Sequence, residues 1–357
     1  MHDPTKRHQE RPFVAFVLAA PLAVLAASTP QARAADSESA SDSGRYTVIE
    51  ENDYFNPVHP SDRHYTQGLR LSYLTGAVKD GDVSAPLFAW FDRNLFVGEG
   101  ERSQHVDWSI GQSIFTPNDL VAAKPDPRDR PYAGWAYLQG GLVQSTDKNR
   151  LDDLEVQIGV VGPAALAEQA QNDWHEYFMH QAVSNGWGSQ LKNEPGLDIT
   201  YERHWRYDLL GTGDGAGIDV TPDAGGALGN VLAYANAGAM LRLGYNLAAN
   251  YGTSRILPAP SGGDYFDSSV TGPGGYIFVA AEGRGVGRNI FLQGNDFVSG
   301  PHVTAYPAVG DLVVGGTVFW GKWLRGTVSF DTRSKEFIGQ QGPDRFTSLS
   351  LSANFDW

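Results

Sequence analysis

The sequence predicts an all-β fold, an antiparallel transmembrane β-barrel of about twelve strands with a helix inserted near the rim. Three observations point there. The segment 347–357 (TSLSLSANFDW) alternates strictly, with Leu349, Leu351, Ala353, Phe355 and Trp357 on one face and Ser348, Ser350, Ser352, Asn354 and Asp356 on the other. A strand sends successive side chains to opposite sides, so such a segment separates an apolar medium from a wet one. The same alternation recurs at 323–333, where Leu324, Val328 and Phe330 oppose Arg325, Thr327, Ser329 and Asp331, and at 65–75, where Tyr65, Leu69, Leu71 and Tyr73 oppose Thr66, Arg70 and Ser72. Finally, the chain opens with an export signal and then contains no apolar run long enough to cross a bilayer as a helix.

Taken in order, Lys6, Arg7 and Arg11 form a basic start, Phe13 to Ala27 is apolar, and Ala32-Arg33-Ala34 supplies a small-residue cleavage site. Residues 1–34 therefore read as a secretory signal peptide. Residues 35–44 form a polar linker. The barrel domain spans 45–357, with strand candidates near 45–53, 65–75, 105–116, 132–146, 151–161, 195–208, 215–225, 229–246, 274–286, 308–321, 323–333 and 346–357. The Gly/Pro-rich segments 76–104, 117–131, 247–273 and 287–307 are expected as surface loops on one side. Between strands, Pro163 to Gly186 reads as one helix, with Pro at its first position and Gly just past its end. Leu166, Ala170, Trp174, Phe178 and Ala182 recur every fourth residue as its expected packing stripe, and Gln171 and His175 share an adjoining face.

Composition narrows the function classes. The formal net charge is −14, and loss of the basic signal peptide leaves the mature chain near −16. No basic patch exists to neutralise phosphates, which argues against a nucleic-acid partner. Cysteine is absent, which excludes a disulfide scaffold and thiolate-bound metals. The run His175 to His180 resembles H-E-x-x-H with one residue too many. Positions five apart lie about 140° apart on a helix, so the two histidines cannot share one Zn²⁺. There is no G-x-S-x-G elbow.

Polar clusters remain at Glu50 to Asp53, around Phe115 to Pro117 and Asp129 to Gly134, and at Trp174-His175 with Asn193 to Gly196 downstream. His175 lies on a helix face beside polar partners and titrates in the range that suits a general base. Asn52 and Asp53 are hard oxygen donors able to hold Ca²⁺, which would polarise an ester carbonyl. Thr66 could position water or complete a metal shell. The same residues also fit simpler roles: a lumen histidine in a polar network, and turn chemistry at a strand end.

The ordered set ENDYF (51–55), His59-Pro60, YTQG (65–68), FTP (115–117), DRPYAG (129–134), GVVGP (159–163), QNDWH (171–175) and NEPG (193–196) resembles the outer-membrane lipid A 3′-O-deacylase family across almost the whole mature chain. The resemblance implies a twelve-stranded barrel, a Ca²⁺-dependent ester hydrolase acting on lipid A of lipopolysaccharide in the Gram-negative outer membrane, and site roles for Asn52, Asp53, Thr66, Gln171 and His175. The chain is expected to act as a monomer. Two positions depart from the family. Its third-loop Lys-Arg pair corresponds to Val121-Ala122-Ala123-Lys124, leaving Lys124, Arg128 and Arg130 as candidate cations, and its acidic residue six positions after the histidine is Gln181. A non-catalytic barrel on the same scaffold and a phospholipase-type barrel with Thr66 or a serine as nucleophile are the rival readings.

Overall fold

The computed structural model describes residues 44–354, apart from 59, 181, 212–214, 257 and 259–262. The signal peptide, nearly all of the linker, His59, Gln181 and the final aromatic residues fall outside the described residues. The strands are β1 (Arg45–Asn52), β2 (His64–Leu74), β3 (Arg102–Thr116), β4 (Ala133–Thr146), β5 (Arg150–Val161), β6 (Glu194–Trp205), β7 (Tyr207–Leu210), β8 (Ala216–Gly229), β9 (Leu232–Tyr245), β10 (Pro273–Asn289), β11 (Ala308–Trp320), β12 (Leu324–Arg333) and β13 (Asp344–Asn354). All pairings are antiparallel; β1 pairs with β13 and β6 pairs with β8, so twelve strands close a ring. The extra strand β7 is a short addition along β8. Closure leaves no ring strand with an unpaired edge, which is the condition for a sheet to sit in lipid.

The expected alternation is present with the polar face inside. In β13, Ser348, Ser350 and Ser352 are buried while Leu349 and Leu351 are exposed. In β9 and β10, Leu241, Leu243, Ile277 and Val279 are exposed while Met240, Arg242 and Phe278 are buried. An apolar exterior around a polar interior is stable only where lipid replaces water outside. Tyr46, Trp108, Tyr245, Trp320 and Trp323 gather toward the end that carries the chain termini, the position of an interfacial aromatic girdle.

The long connections do not share one side. Successive turns of a meander alternate between ends, so 117–131 and 287–307 lie at the end opposite the termini, whereas 76–104 and 247–273 lie at the terminus-bearing end. The segment 76–104 is also not all loop. It contains helix α1 (Ala85–Asn94), and Phe88 packs with Phe96 against Leu142 of the β4 outer face. The segment after β9 folds into the lumen as a plug. Leu247, Ala249 and Phe266 pack on inward Met240, Tyr276 and Phe278. Arg255 of the plug hydrogen-bonds Glu51 of β1 and ion-pairs with Asp331 of β12, each at 2.8 Å. From the wall, Arg242 bonds Asp219 and the backbone oxygen of Leu247. These charges are fully desolvated, so each depends on its partner.

Candidate active site

The connection from β1 to β2 is folded by Asp53. Glu51 points inward to Arg255, so the next residue, Asn52, projects from the outer face of the wall. Asp53 follows the strand end, and its Oδ2 accepts from the Ser61 hydroxyl and the Arg63 backbone N–H, both at 2.7 Å. Its backbone oxygen also accepts the N–H groups of Asn56 and Ser61. These bonds bracket Asp62 and present its side chain. Asp53 is 2% exposed, and its Oδ1 has no hydrogen-bond partner. Burial, then the nearby Asp62 charge, hold the Asp53 carboxyl well above the usual carboxylate range.

The other half comes from the chain after β5. Pro163–Ala165 forms a single 3-10 turn, Leu166 adopts a left-handed conformation (φ 59°), and helix α2 runs only from Ala167 to Trp174. A π-type turn, His175–Met179, follows and ends at His180 (φ 52°). The helix is therefore shorter than the pattern from Pro163 to Gly186 implies, because two left-handed residues interrupt it. The expected stripe is not its packed face either: Leu166 and Phe178 are 45% and 52% exposed. The buried row is Ala167, Gln171 and His175, again at intervals of four. This row meets the outer wall, where Ala167 packs with Ile114 of β3 and the Gln112 amide donates to the Ala165 carbonyl.

Asp62 joins the two halves. Its Oδ2 lies 2.7 Å from His175 Nε2, and its Oδ1 accepts from Gln171 Nε2 at 3.0 Å. Gln171 is fixed in turn by the Trp187 indole N–H, which donates to its Oε1 at 2.9 Å. His175 Nδ1 lies 3.0 Å from the Ala182 carbonyl oxygen. Both ring nitrogens thus face acceptors, an arrangement that suits the imidazolium form. The bond to Asp62 raises the His175 pKa above its ordinary value, and partial burial opposes that rise.

Thr66 reaches the same outer face through a defect in the ladder. A β-bulge between Tyr65 and Gln67 shifts the register of β2 on β3. Tyr65 consequently turns inward, where its hydroxyl donates to Glu51, and Thr66 does not share the lumen face of Arg70 and Ser72 as simple alternation predicts. Its Oγ1 lies 2.7 Å from Thr116 Oγ1. The Thr66 carbonyl also accepts the Asp53 N–H at 3.3 Å.

The structure therefore places Asn52, Asp53 and Thr66 at adjoining strand ends, with Gln171 on α2 and His175 in the turn after it, joined to the β1–β2 connection through Asp62. Asp62 is the link that sequence reading missed; it lies in the loop between two recognised motifs and has no periodic signal of its own. Of the candidate cations, Arg130 is buried and pairs with Glu336, Arg128 pairs with exposed Asp126, and Lys124 is exposed. The oxygens of Asn52 and Asp53 could hold a cation, with Asn52 Oδ1 already accepting the Tyr54 N–H. Among the described residues no cluster of three or more His, Asp or Glu side chains forms a metal cage.

A family model described as "Outer membrane protein LpxR" matches residues 14–355. No curated protein matches the chain. Among solved structures, LpxR from Salmonella typhimurium superposes with a TM-score of 0.69 at 20% identity, covering 87% of this chain and 100% of that one. The beta domain of the Bordetella autotransporter BrkA gives a TM-score of 0.40 at 10% identity, covering 88% of this chain and 99% of that one. With the family match spanning the whole described barrel, the chain belongs to the LpxR family of outer-membrane proteins.

Proposed function

We propose that the chain is a lipid A deacylase that hydrolyses the 3′-linked acyloxyacyl ester from the outer leaflet, acting as a monomer. The observation that carries this reading is the position of the His175–Asp62 pair. It lies between α2 and the outside of the barrel wall, at the end opposite the termini, where a lipid ester can arrive laterally. Family membership supports a lipid A substrate.

His175 Nδ1 donates to the backbone at Ala182, which fixes the ring and leaves Nε2 facing half-buried Asp62. Water that replaces the direct Asp62 contact gives its proton to neutral Nε2 as its oxygen attacks the ester carbonyl. The imidazolium then returns that proton to the departing sugar 3′-oxygen, releasing the acyloxyacyl group as a carboxylic acid. Gln171 holds Asp62, and the Thr66 hydroxyl orients water. The orphaned, buried Asp53 Oδ1 and its uncompensated acid make a hard-oxygen site that fits Ca²⁺, with Asn52 and Asp53 as the residues that would hold it. When bound, the ion would supply a Lewis acid that stabilises the oxyanion of the substrate. A Thr66 nucleophile is less well supported, because its hydroxyl bonds Thr116 rather than a histidine.

The test is mass spectrometry of lipid A from cells producing wild type or His175→Ala, with membranes incubated in Ca²⁺ or chelator. A 3′ acyloxyacyl mass loss confined to wild type with Ca²⁺ is expected. Equal loss in the variant would refute the assigned base.

A further inference from the structure

A cleft of about 570 Å³ opens beside Asp62, with Arg63 and Arg345 on its walls. Asp62 is already paired with His175 inside, so the cleft presents more positive than negative charge. Arg345 is the second residue of β13 and, by alternation with exposed Leu349 and Leu351, lies on the outward face at the end opposite the termini. Its guanidinium makes no hydrogen bond or ion pair among the described residues. Arg63 is anchored at its backbone by Asp53, and its Nη1 bonds only a neutral acceptor, Asn118 Oδ1, at 2.9 Å. In a chain of net charge −14, two guanidinium groups without carboxylate partners flanking one cleft require a reason.

We infer that Arg63 and Arg345 bind a phosphate monoester of the substrate headgroup, and so set the ester beside His175. This inference rests on the ester-hydrolase reading above. Guanidinium is the side chain that matches phosphate oxygens in pairs. Of the third-loop cations, Arg130 is committed to Glu336, Arg128 to Asp126, and Lys124 does not line the cleft. Arg63 also couples the two sites mechanically, because the Asp53 carboxylate that bonds its N–H is the group proposed to hold Ca²⁺.

The experiment uses the full mature chain in detergent, with lipid A carrying both phosphates and the same lipid after enzymatic dephosphorylation. Wild type is expected to prefer the phosphorylated lipid. In Arg345→Ala and Arg63→Ala, the ratio of kcat/KM between the two lipids should fall about tenfold each, mainly through KM, as charge-assisted hydrogen bonds require. Arg345→Lys should recover part of that ratio. An equal fall on both lipids, or an unchanged ratio, would overturn the assignment while leaving the hydrolase reading intact. Inhibition by millimolar inorganic phosphate that Arg345→Ala abolishes, without discrimination between the lipids, would assign the cleft to free phosphate and also overturn it. If wild type hydrolyses neither lipid, the hydrolase reading fails. Co-elution of each lipid with wild type and with the double variant then decides the arginines: selective loss of the phosphorylated lipid supports them, and equal retention rejects them.

Discussion

The lumen and the outer wall of this barrel both contain buried charge, but they satisfy it by different means. In the lumen, arginines are clamped by several acceptors at once: Arg255 bridges Glu51 and Asp331, and Arg333 meets Asp311 and a plug carbonyl. These contacts tie the plug to one sector of the ring, around β1 and β12. On the outer wall, a histidine, a carboxylate and an amide form a chain beside Asp53, and a cleft gives access to it. An orphaned carboxylate oxygen does not by itself separate the regions, because Asp153 and Asp223 carry such oxygens in the lumen. The difference lies in the neighbours. The outer-wall set combines a titratable base, a ring fixed by a backbone acceptor and an adjoining cleft.

That contrast can be broken or sharpened by substitution. The largest effect on chemistry is expected from His175→Ala, with a loss of about 10²–10⁴ in deacylation rate and an intact barrel by heat-modified gel mobility. Arg255→Ala should act on stability, since it strands Glu51 and Asp331 in the lumen. A loss of about 3–5 kcal/mol in urea unfolding is expected. An Arg255 variant of full stability would mean that the plug is not held as described.

A smaller effect concerns pH. Asp62 holds the His175 pKa above the ordinary value of about 6.5, so the ion pair contributes stability that is full below that value. The contribution is lost as pH rises through the higher folded value, and only above it is the neutral base abundant. The acidic limb of the rate profile should therefore lie above about pH 6.5, and Asp62→Asn should move it to lower pH. A limb that does not move would detach Asp62 from the base.

Much of this was legible in the chain. The twelve ring strands, their inward serines and arginines, and the pairing of Gln171 with His175 follow from periods of two and four. What escaped has specific causes. The bulge at Thr66 breaks the period on which its face was assigned. The left-handed Leu166 and His180 shorten a helix whose residue spacing continues past them. Asp62 acts through a loop conformation set by Asp53, and the plug through lumen contacts distant in sequence; neither leaves a local pattern.

The most direct test of the claim that chemistry belongs to the outer wall is the Ca²⁺-dependent deacylation rate of purified Asp53→Asn beside the lumen variant Glu282→Gln. Asp53→Asn should lose about 10²–10³ in rate at a Ca²⁺ concentration that saturates wild type. Glu282→Gln, in which Arg284 keeps its partner Asp311, should retain wild-type rate and Ca²⁺ response. The reverse pattern, with Asp53→Asn active and Glu282→Gln inactive but folded, would move the reaction into the lumen and contradict the account.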